Sequence, residues 1–505
     1  MGYLFIYIYI INIVFVFLII ILILLLISLL FIRKREEVRL FTLIGSIFLL
    51  MVSVYYNLNY IYNIYYFEGL IFYNNLFLGN FLFENFLFSF NINLDGFSLL
   101  LIFLTIILYL VSVISIWNVN ISYHFLHTLL LLVILLVILS FSIFDLLFFY
   151  VFFGFLLIPM FIIIGVWGSR ERKLTAAFRF FFFTLIGSIF FLIVIIYMYM
   201  EFGTTNLYRL FILNMFSIEL QYLFWFFLFL AFAVKIPVYP LHTWLPEAHA
   251  EAPTVGSILL AGILLKLGPY GILRFSNVLF PLGFFFFRPF IFLICLLGIY
   301  YTSITAIRQI DMKKIIAYSS IGHMALILMG LFTNTIEGLL GSIILLIAHG
   351  FVSGGLFLTV GFLYDRYKTR IIQYYGGLVK LNPKLALVFF IFVLGNIAFP
   401  STLNFICELF ILVSLLELNS YLLVLVGFST IFVLAYNLFL FARVFYFDES
   451  LIFLKDYVAD LTVRELVASW IFMFPVFFWG LFSKSLTSFF FDYIIYNQFI
   501  VFFYV

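Results

Sequence analysis

Two lysines stand inside apolar sequence where charge is costly, Lys235 in AFAVKIPVYP and Lys266 in ILLAGILLKLGPYG. A lysine at the centre of a membrane helix costs from about 3 kcal/mol on insertion scales to more than ~10 kcal/mol in simulations, and it persists where it has a partner or a watered path. Each lies about a dozen residues into its apolar segment, roughly 18 Å at 1.5 Å per residue, too deep to snorkel to a surface. An amine held there can lose and regain a proton as its surroundings change, so both are read as proton carriers, the plainer alternative being a static internal salt bridge. His323 in AYSSIGHMALI and His349 in LLIAHGFVSGG fall at a similar depth, as does Glu408 in PSTLNFICELFIL. Histidine titrates near neutrality through two distinct ring nitrogens, which suits it to a relay; its alternative is a hydrogen-bonded core residue. A Lys/His/Glu row at one depth points to conduction along the membrane plane, with half-channels to either side.

The elements that carry these groups are interrupted beside them. Pro237 and Pro240 follow Lys235, and Pro400 precedes Glu408 by eight residues. Proline removes a backbone donor and clashes with the preceding turn, so both helices are predicted to break there. Two interruptions at corresponding places in two halves of a chain are a sequence sign of inverted repeats with a site at each break. LAFAVKIP and VLGNIAFP align weakly about the two prolines.

Charged residues make up 9% and apolar residues 67% of the 505, which excludes a soluble enzyme; soluble domains carry roughly a quarter charged residues. At about 20 residues per span, the apolar stretches predict an all-α polytopic membrane protein of about fourteen transmembrane helices. Their spans are 3–32, 40–56, 97–116, 125–144, 146–168, 174–200, 222–244, 253–273, 289–307, 314–333, 337–363, 385–416, 421–446 and 466–482. A Tyr/Asn-rich connection with short interfacial segments is expected after the second, and an apolar tail after the last. The first 32 residues read as a membrane helix rather than a cleaved presequence, since the charges follow the apolar run. The abundance of Phe, Ile, Tyr and Asn fits AT-rich coding in an organelle.

Basic residues test this count, because loops on the inner side are enriched in Lys and Arg. Of the 25 basic residues, loops after odd-numbered helices hold 18 and loops after even-numbered ones hold only Arg209, Arg274, Arg288 and Lys484; Arg179, Lys235 and Lys266 lie inside helices. An even helix number follows, with both termini on the outer side. Five-helix repeats are predicted as helices 4–8 and 9–13, with helices 7 and 12 broken. The chain divides as one membrane domain, 1–505, made of N-terminal helices 1–3 (1–120), the two repeats (121–280 and 281–447), and a loop, helix 14 and tail (448–505).

Other chemistry is not indicated. Cys295 and Cys407 lie in apolar runs without metal-ligand spacing. His242, Glu247, His249 and Glu251 cluster between helices 7 and 8 without a zinc pattern, and are read as a polar hinge loop on the outer side. There is no phosphate loop, dinucleotide fingerprint or iron–sulfur cysteine set, so redox and nucleotide chemistry must belong to partners. The dispersed basic residues form no nucleic-acid patch.

WLPEAHAEAPTVGSILLAGILLKLGPYG, DMKKIIAYSSIGHM at 311–324, IAHGFVSGGLF at 347–357 and GNIAFPSTLNFICELFIL at 395–412 resemble the subunit-4 family of antiporter-like membrane subunits in mitochondrial NADH:ubiquinone oxidoreductase, respiratory complex I. HAEAP followed by LLKLGPYG separates that family from the related subunits 2 and 5. The resemblance covers about residues 90–445. It implies a fourteen-helix antiporter-like fold in the membrane arm, in the mitochondrial inner membrane with basic loops on the matrix side and both termini toward the intermembrane space. It implies proton pumping driven by quinone reduction elsewhere, and neighbours among the other membrane-arm subunits, subunits 2 and 5 included, and lipids. FMN, iron–sulfur clusters, NADH and ubiquinone are expected in other subunits, with no cofactor or metal in this chain. It assigns the broken-helix lysine to Lys235, the next-helix lysine to Lys266, the bridging histidines to His323 and His349, and the exit-side acid to Glu408.

One position departs from the family. A pattern like FFEATLIPM places a helix-5 glutamate beside the broken-helix lysine, whereas this chain reads FFGFLLIPM, with Gly154 at that position. Asp145, nine residues earlier, falls on the opposite helix face about 13 Å away. Lys235 is therefore expected to borrow a carboxylate from a neighbour or to work unpaired. Two alternatives stand beside the pump reading: a subunit of a multisubunit sodium/proton antiporter, and a structural membrane-arm subunit whose pumping is impaired at Gly154.

Overall fold

The computed structural model describes residues 2–32, 34–66, 92, 94–117, 119, 121–213, 216–446 and 459–490. Most of the Tyr/Asn-rich connection, and the tail beyond 490, lie outside them. The helices in chain order are α1 (Gly2–Phe31), α2 (Arg35–Tyr66), α3 (Gly96–Ser115), α4 (Tyr123–Ser142), α5 (Leu146–Phe155), α6 (Leu157–Trp167), α7 (Lys173–Phe202), α8 (Leu207–Leu213), α9 (Ile218–Lys235), α10 (Trp244–Glu251), α11 (Thr254–Gly262), α12 (Leu267–Gly271), α13 (Asn277–Leu279), α14 (Pro281–Arg308), α15 (Met312–Thr333), α16 (Ile336–Tyr367), α17 (Leu378–Leu381), α18 (Pro383–Asn396), α19 (Leu403–Leu418), α20 (Ser420–Phe445) and α21 (Val463–Leu481). Among the described residues, 12 helical segments are long and apolar enough to cross a membrane, with Phe15–Phe31 and Pro383–Asn396 shorter apolar helices beside them.

Burial sorts these helices. α3, α15, α16 and the segment Thr254–Leu279 are buried almost along their whole length, while α2, α20 and α21 have only a third or less of their apolar window buried. A helix apolar all round belongs in the centre of a bundle or in lipid, and both kinds occur here. Close approach at the centre depends on small residues, as in membrane helix packing generally. At Gly341 of α16 an added Cβ would lie 2.8 Å from the Cys407 carbonyl oxygen and 2.9 Å from Phe410 Cβ, so α19 rests directly on α16 there.

The two breaks end their half-helices in the same way. After α9, Val238 N–H donates to the Ala233 carbonyl at 3.0 Å; after α18, Phe399 N–H donates to the Leu394 carbonyl at 3.0 Å. At the second break the chain takes positive φ at Ala398 (60°) between donor and acceptor, the place that Pro237 holds at the first. This six-to-one bond over a left-handed residue is a Schellman ending. It makes Lys235 equivalent to Asn396 and sets Pro237 against Ala398. Aligning the two prolines is thus off by two residues, because the turn is fixed by its left-handed residue and its hydrogen bond rather than by where proline falls.

The hinge WLPEAHAEAP departs further from expectation. Residues 244–251 form helix α10, which completes the interrupted span; proline is tolerated in a first helical turn, and Pro246 sits there. Its last residue, Glu251, lies 3.9 Å from Arg370, and Arg370 also lies 3.9 Å from Asp311. These partners belong to loops after odd-numbered helices, so the cluster is no outer-side loop: α10 ends at the basic-loop end of the bundle. The span of Lys266 is also less regular than predicted, with a 3₁₀ turn at Leu264–Lys266 and a π turn at Ile272–Ser276.

Candidate functional site

Lys235 is the last residue of α9 and is buried. At a helix C-terminus the unpaired carbonyls carry partial negative charge and favour a cation, which is what the break provides. Its Nζ donates to the Phe153 carbonyl at 2.8 Å and lies 2.9 Å from the centroid of the Phe153 ring, a cation–π contact. Phe153 packs edge-on against Phe191 and Phe232. Among the described residues no carboxylate pairs with Lys235. At Gly154 an added Cβ would meet nothing within 4 Å, so the carboxylate position is open space. Asp145 serves elsewhere, as N-cap of α5, accepting from Leu147 N, Phe148 N and Thr205 Oγ1.

The remaining sequence-identified groups come together. The irregular turn at Ile263 brings the Ala261 carbonyl to Lys266 Nζ, and the same Nζ lies 3.0 Å from His349 Nδ1 on α16. The His349 and His323 rings stand 5.7 Å apart between centroids. On α15, His323 Nδ1 lies 3.5 Å from Glu408 Oε1, while its Nε2 lies 3.1 Å from Asn396 Oδ1. Lys266, His349, His323 and Glu408 thus form a buried row across four packed spans. Lys235 stands apart from it, joined to Lys266 by no hydrogen bond among the described residues.

A cavity of about 20 Å³ adjoins the far end of the row, lined by His323, Glu408, Thr302, Ser303, Ser319 and Tyr436 among others. A polar cavity of roughly 15 Å³ or more on this measure accommodates a water, so Glu408 and His323 have room for one between them and the hydroxyls.

Residues that sequence reasoning passed over or assigned to loops complete the picture. Asn396 and Asn437 are linked, Asn396 Nδ2 donating to Asn437 Oδ1 at 2.9 Å; an amide inside an apolar span was the signal that could have found them. At the basic-loop end, Lys313 donates to the Ala252 carbonyl at 2.7 Å and approaches Ser257 Oγ at 3.4 Å. Burial pulls the Arg370 guanidinium below its usual range, and the carboxylate of Asp311 opposes that shift. Loop sequence alone does not separate such buried charges from solvated ones. His249 is buried and stacked on Phe357 at 4.5 Å.

A bundle of apolar helices, two of them broken in mid-span and flanking a buried Lys–His–His–Glu row, has the architecture of an ion-translocating membrane subunit. The family model described as the NADH:quinone oxidoreductase/Mrp antiporter membrane region matches residues 144–433. NADH-ubiquinone oxidoreductase chain 4 of Acanthamoeba castellanii is 42% identical over 406 residues, 80% of this chain and 81% of that one. The chain 4 of Marchantia polymorpha is 48% identical over 329 residues, 65% of this chain and 66% of that one. The fold is similar to a chain of respiratory complex I from Thermus thermophilus, with a TM-score of 0.83 and 26% identity over 96% of this chain and 99% of that one. A chain of the archaeal membrane-bound sulfane sulfur reductase shares the fold, with a TM-score of 0.82 and 18% identity, covering 97% of each. The chain belongs to the NADH:quinone oxidoreductase/Mrp antiporter family.

Proposed function

We propose that this chain is the subunit-4-type, proton-translocating member of the membrane arm of respiratory complex I. The observation that carries the reading is the buried row Lys266–His349–His323–Glu408, in which Lys266 Nζ meets His349 Nδ1, the two imidazole rings stand 5.7 Å apart and His323 Nδ1 faces Glu408. A buried amine, two imidazoles and a carboxylate in sequence can pass a proton by hydrogen-bond rearrangement and short displacements, with no redox centre in the chain itself. NADH oxidation and ubiquinone reduction, with FMN and iron–sulfur clusters, occur in other subunits, and their conformational or electrostatic output drives the row.

In this reading the chain spans the mitochondrial inner membrane fourteen times, with α1 and the paired half-helices α9/α10 and α18/α19 counted as spans. Helices 4–8 and 9–13 are inverted repeats within the single domain 1–505, the basic loops face the matrix, and both termini face the intermembrane space. Subunits 2 and 5 and lipids surround it. Lys235 acts at the uptake end, Lys266, His323 and His349 conduct, and Glu408 releases; Pro237 and Pro400 mark the breaks. Lys235 pairs with no carboxylate among the described residues, and Gly154 beside it supplies none, which favours one modification, namely that uptake at Lys235 is weakened while the central row stays intact.

His323→Gln in the intact, reconstituted complex tests this. A fall in protons moved per NADH oxidised, with the complex assembled, supports the pump; an unchanged ratio supports a structural role.

A further inference from the structure

The two amides beside His323 are ordered by a group that has no choice. Asn437 Nδ2 lies 2.9 Å from the Val433 carbonyl, which only accepts, so the amide nitrogen of Asn437 must face it. Its Oδ1, an acceptor, then faces Asn396, whose nitrogen must be the atom that donates across 2.9 Å. Asn396 is left presenting Oδ1 to His323 Nε2 at 3.1 Å. An amide oxygen cannot donate, so Nε2 must carry the hydrogen. One main-chain carbonyl on α20 thus acts on the tautomer through two side chains, beside the Asn396 main chain, which also bonds the ring.

We infer that Asn437 and Asn396 form a latch of positioning residues that holds His323 as its Nε2–H tautomer, so that His323 takes up and releases protons only through Nδ1, the nitrogen facing Glu408. The step is a proton exchange: the Glu408 O–H bond breaks, a His323 Nδ1–H bond forms, and a carboxylate and an imidazolium result, or the reverse. The 3.5 Å separation of Nδ1 and Oε1 is long for a direct hydrogen bond, and the adjoining cavity has room for a bridging water. Passage through the ring from one nitrogen to the other is closed while the latch holds. A proton from His349 therefore reaches Glu408 only when it arrives at Nδ1 or when the Asn396 contact opens, which makes the latch a gate in the row. Asn396, equivalent to Lys235 at the end of its half-helix, puts this gate at the second break.

The inference rests on the proton-translocating reading, and the experiment separates the two. In the intact complex, reconstituted and driven by NADH, protons moved per NADH are measured for Asn437→Leu, Asn396→Leu, His323→Gln and the double variants with His323→Gln. Asn437 hydrogen-bonds neither Glu408 nor His323 among the described residues, and assembly is read first on native gels; if Asn396→Leu does not assemble, the Asn437 pair carries the same comparison. We expect Asn437→Leu to lower the ratio several-fold and to have no further effect in the His323→Gln background, because the latch acts only through that ring. In ¹⁵N-histidine spectra of the complex, the signal missing from His323→Gln should be an Nε2–H tautomer, turning to a mixture in Asn437→Leu. An Nδ1–H tautomer, an unchanged ratio in Asn437→Leu, or an undiminished effect of Asn437→Leu without His323 overturns the latch. If His323→Gln itself leaves the ratio unchanged, it is the pump reading that fails.

Discussion

Lys235 and Asn396 hold the same position in two half-helices, each the last helical residue before a turn closed by a bond from the third residue beyond it to the carbonyl two residues before it. At the first break the ending carries a cation on the Phe153 carbonyl; at the second it carries an amide on a histidine. The same backbone device therefore presents a charge in one half and a tautomer-setting dipole in the other.

The first break is further closed by Trp244, whose Nε1 donates to the Val234 carbonyl at 2.9 Å. Trp244→Phe keeps the ring against Phe180 and deletes only this donor. A loss of about 1 kcal/mol, the usual net worth of one hydrogen bond, is expected in the thermal stability of the assembled complex. Trp244→Ala adds the cavity and should cost about 3–5 kcal/mol.

Gly154→Glu tests the departure from the family. The site has open space for a Cβ, so assembly should survive, and the new carboxylate should pair with Lys235. Breaking a buried pair costs about 3–5 kcal/mol, and supplying the missing partner should recover part of that. A higher melting temperature and at least about a two-fold change in pumping rate, a barrier change near 0.4 kcal/mol, are the expected readouts. If neither moves, Lys235 has no unmet need for a carboxylate.

Much of this was legible in the sequence, and the reasons are physical. Charge inside an apolar run is rare enough that Lys266, His323, His349 and Glu408 identify themselves, and the structure brings these four together. Lys235 was equally visible, but its isolation from the row was not, because depth along a helix says nothing about lateral spacing. The hinge at 244–251 was misread because helix α10 is short, polar and contains a proline, all of which imitate a loop. Asn396 and Asn437 were passed over because an uncharged amide in an apolar span gives only a weak signal until its partners are seen. The irregular turn at Leu264–Lys266 had no sequence sign of its own.

Gly341→Ala addresses how α19 is held. The added methyl would collide with the Cys407 backbone, one residue from Glu408. Overpacking of this kind costs about 1–3 kcal/mol. It should also lower pumping by displacing the carboxylate from His323, measurable as a loss of protons per NADH in complexes that assemble. Gly427→Ala on α20, where a Cβ meets nothing within 4 Å, is the control and should leave both unchanged.

Arg370→Met removes a buried guanidinium that lies 3.9 Å from both Glu251 and Asp311. Lys313 still faces both carboxylates, so the loss should be about 1–3 kcal/mol, read as a lower melting temperature and reduced assembly, while Arg170→Met, half-exposed on Asp311, should cost no more than about 1 kcal/mol.

The central claim is that protons cross through the buried row, and Lys266→Leu probes it most directly. Leucine fills the site and removes the Nζ shared by the Ala261 carbonyl and His349 Nδ1. In complexes reconstituted into sealed vesicles and supplied with NADH and quinone, protons moved per NADH oxidised should fall relative to the unaltered complex, with the subunit present in normal amount. An unchanged ratio in the assembled variant would contradict the account and leave the row as structural packing.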